Sequence, residues 1–264
     1  LDAACPGFVF SSPSPDQMIA ASEKVEGGAG ILFIVKNYSG DIMNFQMASE
    51  MMTGVSETVL INDDVAVEDS SYTTGRRGVA ATVIVEKIVG SLAETGGSLK
   101  ECKILGDKVN RNSGSMGVAF SSCTVPAAGK PTFQLGPDEM EFGVGIHGEP
   151  GRRRDKIQPA QEITNELLGA IIEDLKLENN GEILLFVNGM GGTPLTELYL
   201  LYDNAKKTLD NKNIKIARSL VGNYCTSLEM QGASLTITKL DQELKKHWDS
   251  PCLLYTSDAA DDIP

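Results

Sequence analysis

The sequence predicts an α/β fold of two lobes, in which helices cover parallel or mixed β-sheets. Three observations support this prediction. Short apolar runs that are typical of buried strands alternate with longer segments of helical periodicity. Turn-rich stretches separate these segments. The chain has 264 residues, of which 41% are hydrophobic and 22% are charged, so it can form one large domain or two modest ones.

The first lobe is predicted to cover residues 1–112 and to alternate strands with helices, which favours a parallel sheet. Strands are predicted at residues 31–35 and 58–61, and helices at residues 42–52, 78–94 and 99–110. The segment 78–94 has little polar surface, so we expect that helix to be packed on both sides. The turn-rich stretch Asn110-Arg-Asn-Ser-Gly-Ser115 is the predicted boundary between the lobes.

The second lobe is predicted to cover residues 113–250. Its strands are predicted at residues 116–122, 140–146, 182–187, 214–221 and 234–240, and its helices at residues 159–175, 193–209 and 241–248. From about residue 251 the sequence loses periodicity and resembles the translation of a sequencing-library adapter. Residues 251–264 are therefore predicted to be a non-native tail, with a genuine disordered tail as the alternative.

Charge and cysteine usage exclude several classes of partner. The net charge of −13 argues against nucleic acid and anionic membranes, which select clustered Lys and Arg. The dense basic run at residues 152–154 is too short to line a groove. The five cysteines lie far apart without a CxxC pair, which predicts reduced thiols in a cytoplasmic protein instead of disulfides or a zinc site. No apolar run reaches the roughly 20 residues that a membrane-spanning helix needs.

The two histidines differ in their sequence surroundings. His147 follows a predicted strand and precedes Gly148-Glu-Pro-Gly151, and these glycines allow a small ligand to approach closely. Imidazole can act as a nucleophile or a general base near neutral pH, so His147 is a candidate functional residue. The alternative is that His147 ties the turn together by hydrogen bonds. His247 lies on a charged terminal helix and is predicted to be a solvated surface residue.

A second candidate site is the segment Lys36-Asn-Tyr-Ser-Gly-Asp41, where a predicted strand meets a helix. Parallel sheets commonly bind ligands at this position. Asp41 lies near a helix N-terminus, where an ionised carboxylate is favoured, so an N-cap is the structural alternative. Lys36 has the alternative of being a surface charge.

Three further motifs are weaker candidates. The segment Asn62-Asp-Asp64 could bind a cation, but without other spaced ligands we favour loop hydrogen bonding. Gly189-Met-Gly-Gly-Thr-Pro194 resembles a phosphate-binding loop without its Lys-Ser/Thr, so we favour a strand-to-helix turn with Pro194 in the first helical turn. Ser121, Ser122 and Cys123 lack the glycine elbow of a nucleophile.

Several of these segments resemble the family of dihydroxyacetone kinase substrate subunits. The similar segments are Lys36-Asn-Tyr-Ser-Gly-Asp41, Met43-Asn-Phe45, Asn62-Asp-Asp-Val-Ala-Val67, Tyr72-Thr-Thr-Gly-Arg-Arg-Gly-Val-Ala80, Cys123-Thr-Val-Pro-Ala-Ala-Gly-Lys-Pro-Thr-Phe133, Glu139-Met-Glu-Phe-Gly-Val-Gly-Ile-His-Gly-Glu-Pro-Gly151 and Asn223-Tyr-Cys-Thr-Ser-Leu-Glu-Met230. The resemblance runs from about Ala4 to Trp248, and its motifs are long and in order.

The resemblance implies roles for three residues. His147 matches the family histidine that bonds covalently to the carbonyl carbon of dihydroxyacetone as a hemiaminal. Asp41 matches the aspartate that accepts a hydrogen bond from a substrate hydroxyl and helps to activate it for phosphorylation. Lys36 matches the lysine that contacts the substrate.

The resemblance also implies an upstream Gly-Gly-Gly-Ser-Gly-His-Glu-Pro loop whose histidine serves as an acid/base group. The sequence begins at Leu1, after the place where this loop is expected. We therefore expect the first lobe to be incomplete, lacking a strand or more and one wall of the substrate pocket. We expect weak or no activity from the fragment alone.

Partners follow from the same resemblance. The chain itself is expected to hold no metal and no cofactor. A helical nucleotide-binding subunit or domain would carry either ADP, rephosphorylated by a phosphotransferase system, or ATP, in each case with Mg²⁺. The resemblance also implies a homodimer. The alternative function is a non-catalytic paralogue that senses dihydroxyacetone for a transcription factor.

Overall fold

The computed structural model describes residues 1–66 and 75–251. Most of the predicted tail at 251–264, and residues 72–74 of the family-like motif at 72–80, lie outside these described residues. The helices are α1 (Pro15–Val25), α2 (Ser39–Met51), α3 (Ala81–Glu94), α4 (Leu99–Arg111), α5 (Ala160–Leu175), α6 (Leu195–Asn211) and α7 (Gln242–Trp248). The strands are β1 (Ile31–Lys36), β2 (Ser56–Ile61), β3 (Ser113–Ala119), β4 (Thr124–Val125), β5 (Lys130–Pro131), β6 (Glu139–Phe142), β7 (Arg153–Lys156), β8 (Glu182–Gly189), β9 (Lys215–Gly222) and β10 (Gly232–Lys239).

Eight of the strands form a parallel pair and a larger mixed sheet, and β4 and β5 form a separate antiparallel hairpin. Strands β1 and β2 pair in parallel, and the six-stranded sheet has the order β7-β6-β3-β10-β8-β9. In the larger sheet β8 and β9 are parallel, and the other neighbouring strands are antiparallel. The two sheets meet where Ser115 of β3 donates its backbone N–H to the Asp63 carbonyl, at 2.7 Å. The predicted α/β class with helix-covered parallel and mixed sheets is confirmed.

Helices cover both faces of the mixed sheet. Strand β8 is buried almost from end to end, because α5 and α6 pack on one side and α3 and α7 lie on the other. Leu184 and Phe186 of β8 share an apolar cluster with Ile84 and Ile88 of α3 and with Leu244 of α7. The apolar helix α3 is therefore packed on both sides, as predicted. The apolar cluster around α3 contains residues from both sides of residue 112. The division into two lobes at that residue stays a prediction.

His247 is buried, so the prediction of a solvated surface residue is wrong. It is 5% exposed, and its Nδ1 lies 3.0 Å from the hydroxyl of Ser91 in α3. Leu244, His247 and Trp248 occupy one face of α7 at helical spacing, and this face packs against α3. Lys245 and Lys246 lie between these residues in the sequence, so the apolar face of the short helix was not recognised.

The buried His247 predicts a pH dependence of stability. Burial, assisted by Lys246, lowers the pKa of His247 from 6.5. Because the folded-state pKa is the lower one, the stabilisation is present above the unfolded-state pKa and is lost as pH falls below it. We expect the urea midpoint to decrease from about pH 7.5 to about pH 5.5 by more in the native protein than in His247→Gln. An equal decrease in both proteins would contradict this assignment.

Four elements were not predicted from the sequence, and one strand ends early. The unpredicted elements are α1, the two short strands of the β4–β5 hairpin, and β7. The predicted strand at 140–146 ends at Phe142, because Gly143 has a φ of +77° that leaves the extended region. His147 consequently lies in a loop beyond the strand and does not follow it directly. No helix among the described residues is long and apolar enough to span a bilayer.

Candidate functional site

A cavity of about 1640 Å³ brings together the three residues that the sequence singled out. Lys36, Asp41 and His147 all line it, together with Tyr38 and Phe10. Its walls come from the first strand and the start of α2 on one side, and from the loop after β6 on the other. Residues more than 100 positions apart in the sequence therefore line one cavity.

Lys36 and Asp41 lie at a junction between strand and helix. Lys36 is the last residue of β1, and α2 begins at Ser39 with Tyr38 as its N-cap. Asp41 is the third residue of the helix, in the first turn. The alternative of Asp41 as the N-cap is therefore wrong, although the positive end of the helix dipole still favours its carboxylate.

The loop that carries His147 is compact because glycines allow close backbone contacts. Gly148 has a φ of +75°, and a Cβ at this position would lie 2.2 Å from Oγ1 of Thr132. A Cβ on Gly151 would lie 2.0 Å from the carbonyl oxygen of Phe142. Both glycines are needed for the loop to pack against its neighbours in this conformation, and the loop fixes the position of His147.

The imidazole of His147 packs against two aromatic rings. Its centroid lies 4.9 Å from the ring of Phe10 and 4.7 Å from the ring of Tyr38, each in an edge-to-face arrangement. The His147 side chain keeps 29% of its surface exposed. The two aromatic rings therefore restrict the position of the imidazole, which remains partly exposed.

Glu149 holds His147 through both of its carboxylate oxygens, and the sequence alone did not identify it. Oε2 accepts the backbone N–H of His147 at 2.9 Å, and Oε1 lies 3.0 Å from Nδ1 of the ring. Burial tends to raise the pKa of Glu149, but the hydrogen bond and charge of His147, and the charge of Arg77, lower it overall. Because an ionised carboxylate can only accept, Nδ1 carries the proton, and in the neutral imidazole Nε2 then keeps a lone pair.

The two interpretations of His147 are therefore compatible. Its Nδ1 does tie the turn together through Glu149, as the structural alternative supposed. An imidazole has two nitrogens, so this bond does not use Nε2. The sequence signal for Glu149 was an acid two residues after a histidine in a glycine-rich turn.

A buried polar layer lies behind the site. Asp63 accepts the backbone N–H groups of Val79 and Ala81, at 2.8 and 2.9 Å, so the expected loop hydrogen bonding is confirmed. Asp64 pairs with Arg77, whose Nη2 lies 2.6 Å from the carboxylate. Burial raises the pKa of Asp64 to about 6, although the Arg77 guanidinium opposes the shift. No cluster of metal-ligand residues occurs in the described parts of the chain.

The weaker sequence candidates have structural roles. The segment 189–194 forms the strand-to-helix turn that was favoured. Pro194 is the N-cap of α6 and lies one residue before the first helical turn, in which it was predicted. Ser121 accepts the backbone N–H of Gln231 at 2.9 Å, and Cys123 is fully buried. Residues 121–123 are not among those that line the cavity.

The fold and cavity define an α/β protein with a partly exposed histidine in a large cavity. The family model described as the Dak1 domain matches residues 1–255, and the chain belongs to this family. The resemblance found in the sequence is thereby confirmed, with a slightly longer span than residues 4–248.

Bacterial relatives are dihydroxyacetone-binding subunits. The chain is 49% identical to the DhaK subunit of PTS-dependent dihydroxyacetone kinase 1 from Listeria innocua, over 92% of this chain and 75% of the relative. It is 44% identical to the DhaK subunit of the PEP-dependent kinase of Escherichia coli, over 95% of this chain and 78% of the relative. The chain is thus a relative of subunits that bind dihydroxyacetone for kinases.

Solved structures with the same fold include both a kinase and a regulator. The dihydroxyacetone kinase of C. freundii superposes with a TM-score of 0.81 at 31% identity, over 93% of this chain and 45% of that chain. The operon co-activator Dha-DhaQ superposes with a TM-score of 0.85 at 30% identity, over 92% of this chain and 76% of that chain. The fold therefore occurs both in a kinase and in an operon co-activator.

Proposed function

We propose that this chain binds dihydroxyacetone covalently through His147 and presents it for phosphorylation to dihydroxyacetone phosphate. The observation that carries the proposal is the placement of His147. Its ring is partly exposed in a cavity that also contains Lys36 and Asp41, and Glu149 occupies its Nδ1. Relatives named as dihydroxyacetone-binding subunits support the choice of substrate.

The proposed bond forms between Nε2 of His147 and the carbonyl carbon of the substrate. The π pair of the C=O bond moves to the oxygen, which takes a proton from solvent, and the product is a hemiaminal. Fixing a small, flexible ketone in this way removes most of its freedom before phosphoryl transfer. Glycerol has no carbonyl group and cannot form the bond, so the site discriminates against polyols.

Asp41 and Lys36 would act on the hydroxyl groups of the bound substrate. Asp41 provides a carboxylate at the edge of the cavity, where it can accept the proton of the hydroxyl that attacks the phosphoryl group. Lys36 provides a donor at the end of β1 that can hold another substrate oxygen. Together with His147 they would contact the ketone and its hydroxyls from different sides.

The phosphoryl donor would come from a partner. We propose a helical subunit or domain that carries ADP or ATP with Mg²⁺, and a homodimer of this chain as its docking platform. The bacterial relatives are named as PTS- or PEP-dependent. The C. freundii kinase was solved in complex with AMP-PNP and Mg²⁺. Whether the partner carries ADP or ATP, the proposed role of this chain is to bind the substrate.

A mass measurement tests the covalent bond. The chain, with any upstream coding sequence of its gene restored, is incubated with dihydroxyacetone and analysed intact by mass spectrometry without reduction. We expect a mass gain of one substrate molecule, and we expect His147→Asn to lose it because the amide is not a comparable nucleophile. His247→Gln, which changes the histidine outside the cavity, should retain it. No gain in the native protein would refute the proposal.

A regulatory role is the second candidate function, and the similarity to the co-activator Dha-DhaQ favours it. Both functions need the covalent adduct, so the adduct does not separate them. Turnover does separate them: a kinase component forms dihydroxyacetone phosphate when mixed with its nucleotide-bearing partner. A protein that forms the adduct but supports no turnover with any such partner would be a sensor.

A further inference from the structure

We infer that Glu149 is a positioning residue that fixes the tautomer of His147, and that Gly145 leaves the space that the Glu149 carboxylate needs beside the buried Arg77. This inference deepens the proposed function, because a hemiaminal through Nε2 requires a lone pair on that nitrogen. It assigns a role to residues that do not themselves touch the substrate carbonyl.

The geometry of Glu149 is that of a two-point clamp. One oxygen accepts the backbone N–H of His147 and the other faces Nδ1 of the same residue, at 2.9 and 3.0 Å. Both bonds require an acceptor, which an ionised carboxylate supplies twice. Rotation of the imidazole by half a turn would break the second bond, so the clamp fixes both the ring orientation and the site of protonation.

The surroundings of Glu149 keep its carboxylate charged despite burial. The residue is 8% exposed, and burial tends to raise the pKa of its carboxyl group. The hydrogen bond and charge of His147, and to a smaller extent the charge of the fully buried Arg77, lower this pKa overall. Nη1 of Arg77 has no hydrogen-bond partner among the described residues. The other guanidinium nitrogens donate to Asp64 and to the carbonyl of Gly143. Asp64 therefore compensates the guanidinium charge, while Nη1 itself contacts no acceptor among the described residues.

Gly145 allows Arg77 and Glu149 to occupy the same small space. A Cβ at this position would lie 2.1 Å from Oε2 of Glu149 and 2.7 Å from Nη1 of Arg77. Both charged groups therefore pack against the same backbone atoms. The absence of a side chain at Gly145 is a steric requirement for this arrangement.

The clamp also helps during bond formation. When Nε2 bonds to the carbonyl carbon, positive charge develops on the imidazole ring while the oxygen gains the electron pair and a proton. The Glu149 carboxylate, 3.0 Å from Nδ1, faces this charge. Its interaction is stronger in the charged adduct than in the neutral histidine, so it favours addition.

The test is to observe the tautomer directly in the absence of substrate. In ¹⁵N-labelled protein, the nitrogen chemical shifts of His147 distinguish a protonated Nδ1 from a protonated Nε2. We expect the Nδ1–H form in the native protein. In Glu149→Gln we expect the Nε2–H form to increase, because glutamine has a single acceptor oxygen for the backbone N–H and its amide group would donate to Nδ1.

The same variants are then compared in adduct formation. We expect Glu149→Gln to form the dihydroxyacetone adduct about tenfold to a hundredfold more slowly, as loss of a charge-assisted bond implies. Gly145→Ala should have the same effect on the tautomer without removing any polar group. Glu94→Gln, which removes an equal charge from an exposed position at the end of α3, should match the native protein in both measurements.

The outcomes separate this inference from the proposed function. An unchanged tautomer in both Glu149→Gln and Gly145→Ala, with normal adduct formation, would overturn the positioning role and leave the covalent bond intact. A changed tautomer without any adduct in the native protein would support the positioning role and refute the covalent function. A folded-state control by circular dichroism is made for each variant.

Discussion

Asp41→Asn is expected to lower the rate of dihydroxyacetone phosphorylation by about two to four orders of magnitude, the usual contribution of a general base. Asparagine keeps the size and one acceptor of aspartate but cannot take a proton at neutral pH. The covalent adduct through His147 should still form, because Asp41 acts on a hydroxyl and not on the carbonyl carbon. The effect should therefore appear in kcat, while the mass gain with dihydroxyacetone is retained.

The assay uses the protein with any upstream coding sequence of its gene restored, adds its nucleotide-bearing partner and measures dihydroxyacetone phosphate. Asp16→Asn is a matched control, because Asp16 also lies in the first turn of a helix, is exposed, and does not line the cavity. It should leave turnover unchanged. Equal turnover by Asp41→Asn and the native protein would contradict the proposed role of Asp41.

The second large effect concerns the buried ion pair behind the site. Asp64→Asn is expected to destabilise the protein by about 3–5 kcal/mol, because Arg77 cannot lose its proton and would remain as an uncompensated buried charge. Both side chains of the pair are almost fully buried, with exposures of 0% and 4%. Urea denaturation at neutral pH measures the change in free energy of unfolding.

Two further variants show whether the ion pair causes this effect. The double variant Asp64→Asn/Arg77→Met should be less destabilised than Asp64→Asn alone, because it contains no unpaired charge. Arg153→Met removes an arginine from a half-exposed ion pair with Glu166 and should change stability little. A double variant that is less stable than the single one would contradict the explanation.

Most of the fold could be predicted because its segments have strong periodicity. The apolar helix α3 and the buried strand β8 each carry a long, uniform pattern, and both were located within a few residues. Strand β7 has the sequence of a charged, exposed segment and is a strand because β6 pairs with it at the sheet edge. Such an assignment depends on a tertiary partner that local sequence does not reveal.

Part of the candidate site could likewise be predicted from local sequence, and part depends on tertiary contacts. Lys36, Asp41 and His147 were selected from local motifs and from the family resemblance, and the fold brings them to one cavity. Arg77 lies beside the loop that carries His147 through contacts across more than 60 residues, with the Gly143 carbonyl and next to the Gly145 backbone. No periodicity marks such contacts, so that part of the site required the structure.

The covalent bond between His147 and dihydroxyacetone is the central claim, and one spectrum tests it most directly. Dihydroxyacetone labelled with ¹³C at the carbonyl carbon is added to the native protein and to His147→Asn. We predict that the native protein converts the ketone resonance into that of a tetrahedral carbon that broadens with the protein and is absent from the variant. A bound ketone resonance in the native protein, or a tetrahedral signal that persists in His147→Asn, would contradict the claim.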